Sequence, residues 1–180
     1  MLQEWLKRRM RFRTYLILLP VLVLFCMGIA NGGRTFVRSV DPDIELSGKT
    51  VNYRVVLQTK QIHEMAPRSF VWVPIKEEFQ YRLVPFGIVW ILWLLAFGSR
   101  PPIAATGLLV ITTSAYFGYI HGGVGNIFIQ GAVGVVLALV LLKVSGYGSA
   151  PLKGAAAAIM LHGAHNLRVA LETQLFMDRL

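Results

Sequence analysis

The feature that most limits how this chain can fold is a series of long apolar stretches with almost no charge. Residues 103–121 contain no charged side chain, and residues 127–144 contain none before Lys143. A transmembrane helix needs about 20 mostly apolar residues to cross the hydrocarbon core of a bilayer. These two stretches therefore predict membrane-spanning helices.

The composition supports the same class of protein. Hydrophobic residues make up 55% of the 180-residue chain, charged residues only 15%, and the mean hydropathy is +0.57. This is typical of a membrane protein, and the length allows one domain. The only cysteine is Cys26, so the sequence excludes an internal disulfide and a cysteine-based metal site.

The net charge of +9 comes largely from an N-terminal tail. The basic residues of this tail stand directly before the first apolar stretch, at Lys7, Arg8, Arg9, Arg11 and Arg13. Positive residues beside a membrane span usually anchor it at the cytoplasmic surface. No recognition motif for nucleic acid accompanies the charge, so nucleic acid is not a predicted partner.

We predict an all-α fold, a polytopic membrane helix bundle with about five transmembrane helices. The predicted spans are residues 15–30, 69–97, 103–121, 127–144 and 154–176. Residues 1–30 form a basic tail and first span, residues 31–68 a polar loop, and residues 69–180 a four-helix core. The first stretch could also be a signal peptide, but its length and the spans that follow favour a retained helix. Within the loop, residues 51–58 alternate weakly and could form a short strand or an interfacial segment.

Two adjacent carboxylates and an arginine mark the second span. Glu78 and Arg82 are four residues apart, so a helix places them on one face. Glu77 lies about 100° further round the helix and is free to face the bundle interior. A charge at bilayer depth costs about 2.5–3.5 kcal/mol on insertion scales, and such residues therefore usually have a partner and a function.

Two further polar clusters are predicted to lie near Glu77. Because successive spans alternate in direction, His121 at the end of the third span lies toward the same leaflet as Glu77. His162 and Asn166 are four residues apart on the fifth span and share a helix face. Three separated segments thus bring polar groups to one depth, which favours a functional site inside the bundle.

These residue types suit hydrolysis by an activated water. A carboxylate can act as the general base, an imidazole can hold and polarise the water, and His and Asn can donate to an oxyanion. A zinc site is the alternative, with Glu77, His121 and either His162 or His165 as ligands. The segment from His162 to His165 lacks the adjacent glutamate of the zincin helix motif.

The three clusters together resemble a known family. The matching segments are Glu77-Glu78-x-x-x-Arg82, Phe117-x-x-x-His121 and His162-x-x-x-Asn166. In this order, each on its own span, they are similar to the motifs of the CPBP family. These are intramembrane glutamic proteases related to the type II CAAX prenyl endopeptidases, and they are also called the Abi family. The resemblance covers residues 69–176.

The resemblance implies a membrane-embedded endopeptidase that uses no metal and no cofactor. Glu77 would activate the hydrolytic water and His121 would hold it. His162 and Asn166 would form the oxyanion hole, and the supporting pair Glu78 and Arg82 would fix the helix that presents Glu77. The expected partners are membrane lipids and a peptide or protein substrate, which could itself be membrane-anchored.

Location and rival functions follow from the same features. We predict a multi-pass protein of the cell membrane with a cytoplasmic N-terminus, which places Glu77 toward the outer leaflet. The many basic residues of the polar loop favour the opposite orientation.

The rival functions are an intramembrane zinc metalloprotease and a non-enzymatic immunity or scaffold protein. A transporter is a more distant alternative, because polar groups inside a bundle also line ion paths.

Overall fold

The computed structural model describes residues 1–42 and 66–177. These residues form helices joined by turns and contain no strand, so the fold is an all-α membrane bundle. The helices are α1 (Leu2–Lys7), α2 (Phe12–Val40), α3 (residues 66–97), α4 (Ile103–Ile120), α5 (Val124–Ser145) and α6 (Pro151–Met177). Residues 51–58, for which a short strand or an interfacial segment was the expectation, lie outside the described residues.

Four of the described helices are long and apolar enough to cross a membrane. Their spans are Phe12–Val40, Arg68–Phe97, Ile103–Ile120 and Val124–Ser145. The predicted fifth span forms helix α6, but α6 is not among the four. The reason is its polar content, since His162, His165, Asn166 and Arg168 lower its hydropathy. By length and composition, four of the helices in the described part of the chain are therefore candidate spans.

Helix α2 is longer than its apolar stretch predicted. It contains Pro20 within a continuous helix and runs past residue 30 as far as Val40, into the predicted polar loop. It also packs closely on the rest of the bundle. The Tyr15 hydroxyl donates to the Ala157 carbonyl of α6 at 2.6 Å, and Cys26 is fully buried among α5 and α6 residues. Helix α2 is thus packed into the bundle.

Helix α5 is the centre of the bundle. In its most apolar window 61% of the residues are buried, against at most 28% in the other three spans. The neighbouring helices approach it through glycines: a Cβ at Gly154 of α6 would lie 2.3 Å from the Leu141 carbonyl oxygen of α5. Small residues allow this close helix packing, which drives association inside a bilayer. The exposed apolar side chains of the outer helices are then left to face lipid.

The two ends of the bundle differ in charge. At one end the N-terminal tail reaches the end of α5, where Lys143 donates to the carbonyls of Trp5 and Arg8. Arg100, in the turn after α3, donates to the Tyr147 carbonyl at 3.3 Å. The tail, the α3–α4 turn and the α5–α6 turn therefore meet at one basic end. Glu77 and His121 lie near the opposite helix ends.

Candidate active site

The local structure of α3 explains how its two carboxylates are presented. The helix alternates between wide π-helical turns (Ala66–Trp72 and Phe79–Leu83) and α-helical segments (Val73–Glu78 and Val84–Phe97). Each α-helical segment has a proline, Pro74 or Pro85, as its second residue. Proline lacks the N–H for the ordinary helical bond, and its ring crowds the preceding turn. Local π turns accommodate this, and they are frequent at functional sites.

Glu78 is held in a buried network. Its Oε1 accepts a hydrogen bond from Nη1 of Arg82 at 2.5 Å, and Nδ1 of His162 lies 2.8 Å from the same oxygen. Glu78 and Arg82 are 0% and 1% exposed. The Arg82 guanidinium also lies 4.7 Å from the centre of the Phe117 ring. The predicted pair is therefore present, and it ties α3 to α4 and α6.

Glu77 faces two imidazoles. Its Oε1 lies 3.3 Å from Nε2 of His121, and its Oε2 lies 3.6 Å from Nε2 of His162. The Glu77 side chain is 12% exposed, more than that of Glu78, and it borders a cavity. The structure therefore brings the three predicted clusters together around one carboxylate.

The hydrogen bonds of the two rings fix their tautomers. Nδ1 of His121 lies 2.6 Å from the Phe117 carbonyl oxygen, which can only accept, so this nitrogen carries the hydrogen. Nδ1 of His162 faces the Glu78 carboxylate and donates in the same way. In the neutral rings both Nε2 atoms are then acceptors pointing at Glu77. One proton can consequently be shared among the Glu77 carboxylate and the two Nε2 atoms.

Asn166 lies beside this group with one donor already engaged. Its Nδ2 donates to the Ser69 carbonyl at 3.3 Å, which links α6 to the start of α3. The amide borders the same cavity as Glu77.

The cavity beside Glu77 has a volume of about 160 Å³ and is lined by helices α2 to α6. A water takes about 30 Å³ in the liquid, so the cavity has room for several waters or for part of a peptide. His121, His162 and Asn166 all border it. The arrangement places a carboxylate, two imidazoles and an amide around one space of suitable size for hydrolysis.

Three polar cavity residues lie outside the predicted catalytic and supporting set, and of these only His165 had a predicted role, as an alternative zinc ligand. Arg34 comes from α2, Gln130 from α5 and His165 from α6. Oε1 of Gln130 and Nδ1 of His165 are buried without a hydrogen-bond partner among the described residues. Gln130 could have been noticed, because it is the only polar side chain of an otherwise apolar stretch before Lys143.

The sequence allowed two kinds of site for the same side chains, hydrolysis without a metal and a zinc centre. Across residues 1–42 and 66–177, no group of three or more His, Cys, Asp or Glu side chains is arranged to hold a metal ion.

Comparison of the chain with models of protein families, with curated proteins and with solved structures finds no match. The likeness to the CPBP family therefore rests on the three motifs alone and stays a prediction.

Proposed function

We propose that the protein is a membrane-embedded endopeptidase that hydrolyses a peptide bond by a glutamate-activated water. The observation that carries the proposal is the position of the Glu77 carboxylate. It lies 3.3 Å and 3.6 Å from the Nε2 atoms of two oriented histidines, beside a cavity large enough for water. The site supports this function better than simple helix packing, because packing requires no such cavity.

The division of roles between the neighbouring carboxylates supports Glu77 as the base. Glu78 is paired with Arg82 and fully buried, so it orients His162 and has no access to water. Glu77 is the carboxylate that reaches the cavity. A water in the cavity beside Glu77 and His121 would lose a proton to Glu77 as its oxygen attacks the carbonyl carbon of the substrate.

The steps after the attack of the water use side chains of the same site. Attack on the carbon places a negative charge on the carbonyl oxygen, and this oxyanion would accept a hydrogen bond from the Asn166 amide. The proton taken up by Glu77 would pass, directly or through Nε2 of His162, to the nitrogen of the leaving amine. The C–N bond then breaks and a carboxyl and an amine are released, with no cofactor consumed.

The proposed setting is the cell membrane, which the chain crosses several times in contact with lipid. The bundle's basic end supports an orientation with that end in the cytoplasm. The site would then open toward the outer leaflet. The substrate would be a peptide or protein that reaches the site from that side, and it could itself be membrane-anchored.

The test is a cleavage assay on the purified protein in detergent. The parent, Glu77→Gln and His121→Ala are incubated with a peptide library, and the products are identified by mass spectrometry. Glu172→Gln removes an exposed carboxylate of α6 and serves as the matched control. Cleavage that is lost in the two site variants and kept in the control supports the proposal.

Two other outcomes identify the rival functions. Stoichiometric zinc in the purified protein, with activity lost in chelator, would mean a metalloprotease. No cleavage by the parent, together with a cellular effect that survives Glu77→Gln, would mean a non-enzymatic protein.

A further inference from the structure

The basic end of the bundle brings together cations from three separate parts of the chain. The cationic cluster consists of Lys7, Arg8, Arg9, Arg100 and Lys143. Arg8 and Lys143 are close enough for their charges to repel each other. The charges of Lys7 and Arg100 both act on the Tyr147 hydroxyl. The tail, the α3–α4 turn and the end of α5 therefore share one region of positive charge.

Backbone contacts hold the tail in this cluster. Nζ of Lys143 donates to the Arg8 carbonyl at 2.7 Å, and the Met10 N–H donates to the Lys143 carbonyl at 3.2 Å. A Cβ at Gly146 would lie 2.9 Å from Cβ of Arg9, so glycine lets the tail lie this close to the α5–α6 turn. Arg8 and Arg9 are nevertheless exposed, so their guanidinium groups are presented to the surroundings from a fixed backbone.

The carboxylates of these segments do not neutralise the cluster. Residues 1–13, 98–102 and 143–153 contain one acidic side chain, that of Glu4. Its Oε1 accepts a hydrogen bond from Nζ of Lys7 at 2.7 Å. The three arginines of the cluster are left without a carboxylate partner from these segments. Because like charges at short range repel, an anion from outside the chain would stabilise this end.

We expect the cluster to lie at the level of the lipid headgroups. Two of the four candidate spans begin at this end of the bundle and two end there. Trp5 is exposed, and its ring centre lies 3.9 Å from Nζ of Lys143. Tryptophan is enriched where the hydrocarbon core meets the headgroups. The anions that a cluster at this level meets are lipid phosphates.

We propose that this end of the bundle binds the headgroup of an anionic phospholipid, with the lipid phosphate held by the cationic cluster. Guanidinium groups match phosphate oxygens in paired hydrogen bonds. Each basic residue close to an anionic membrane surface contributes about fivefold in affinity. A zwitterionic lipid carries its own cation and gains far less. The bound lipid also offsets the repulsion within the cluster, so it stabilises the folded protein with its tail in place.

The first experiment needs no substitution. The full chain is purified in neutral detergent, and native mass spectrometry measures its binding of phosphatidylglycerol and of phosphatidylcholine with the same acyl chains. Phosphatidylglycerol is expected to bind at least about tenfold more tightly. It should also raise the melting temperature, whereas phosphatidylcholine at the same concentration should not.

Substitutions show whether the cluster is responsible. Arg8→Gln and Arg9→Gln keep the backbone contacts of the tail, and each should weaken phosphatidylglycerol binding about fivefold. Arg9→Lys should retain most of the affinity. Arg38→Gln removes an exposed cation near the other end of α2 and should bind as the parent does. In detergent without lipid, the two tail variants should melt no earlier than the parent, because each loses a repelling charge.

Equal binding of the two lipids would overturn the inference. An equal loss in Arg9→Gln and Arg38→Gln would also overturn it, because general surface charge would then explain the binding. Displacement of phosphatidylglycerol by inorganic phosphate would mean a site for a soluble anion and not for lipid.

This inference goes beyond the proposed function and does not depend on it, since no residue of the cluster lines the cavity beside Glu77. A protein that prefers phosphatidylglycerol but cleaves no peptide would refute the proposed function and leave the inference standing. Glu77-dependent cleavage without a lipid preference would do the reverse.

Discussion

Nδ1 of His162 lies 2.8 Å from Oε1 of Glu78, the oxygen that also accepts a hydrogen bond from Arg82. This contact joins α6 to α3 and turns the other ring nitrogen, Nε2, toward Glu77. The two adjacent carboxylates, Glu77 and Glu78, therefore have different roles. Glu78 is part of the scaffold, and Glu77 is the group that reaches the cavity.

The buried pair should be essential for stability. Arg82→Met would leave the Glu78 carboxylate buried with no cation beside it. Removal of one partner of a buried ion pair costs about 3–5 kcal/mol. We expect the free energy of unfolding in mixed detergent to fall by this amount. Lys7→Gln breaks the exposed pair with Glu4 and should cause no detectable change. An Arg82→Met protein as stable as its parent would refute the scaffold role of the pair.

The close contact between α3 and α6 next to His162 depends on Gly163. A Cβ at this position would lie 2.3 Å from the Phe70 carbonyl oxygen, so Gly163→Ala must push the helices apart. Such overpacking costs about 1–3 kcal/mol. We expect a lower melting temperature and, under the proposed function, reduced cleavage.

Gly107→Ala is the matched control for this prediction. A Cβ at Gly107, in the interior of α4, meets nothing within 4 Å. Alanine there should leave the melting temperature unchanged or raise it, because glycine weakens a helix interior by about 0.5–1 kcal/mol. The packing argument fails if both substitutions have the same effect.

We expect Gln130 to contribute to substrate binding and not to the stability of the fold. Its Oε1 is buried at the cavity with no partner among the described residues, and it can accept a peptide N–H from a substrate. Gln130→Leu removes an unpaired polar atom, so the melting temperature should stay the same or rise. Loss of a hydrogen bond to substrate should slow peptide cleavage about tenfold. A variant that melts earlier and cleaves normally would contradict this assignment.

The sequence was sufficient to predict much of the bundle. The apolar stretches located α4 and α5 to within a few residues, because a span of the bilayer requires a nearly uniform apolar run. The alternating direction of the spans placed His121 and His162 near Glu77, as the structure does. These features follow from hydropathy and helix periodicity, which are local properties.

Other features of the structure were not predicted, because they depend on tertiary contacts that a local sequence pattern does not specify. The continuation of α2 to Val40 puts Gly33 against the backbone of α5, and this brings Arg34 to the cavity. In the sequence, residues 31–34 were predicted to begin a polar loop. Gln130 borders the cavity from the π-helical segment Ile127–Gly131, a local backbone form that the apolar pattern does not indicate.

The most direct test of the account is the initial rate of cleavage in ¹⁸O-labelled water by the parent and by Glu77→Gln. The peptide is the one that the parent cleaves fastest in the library, and Glu172→Gln is the control. We expect one ¹⁸O atom in each new carboxyl terminus, a rate at least about 100-fold lower for folded Glu77→Gln, and a near-parent rate for the control. A folded Glu77→Gln protein that cleaves as fast as the parent would contradict it.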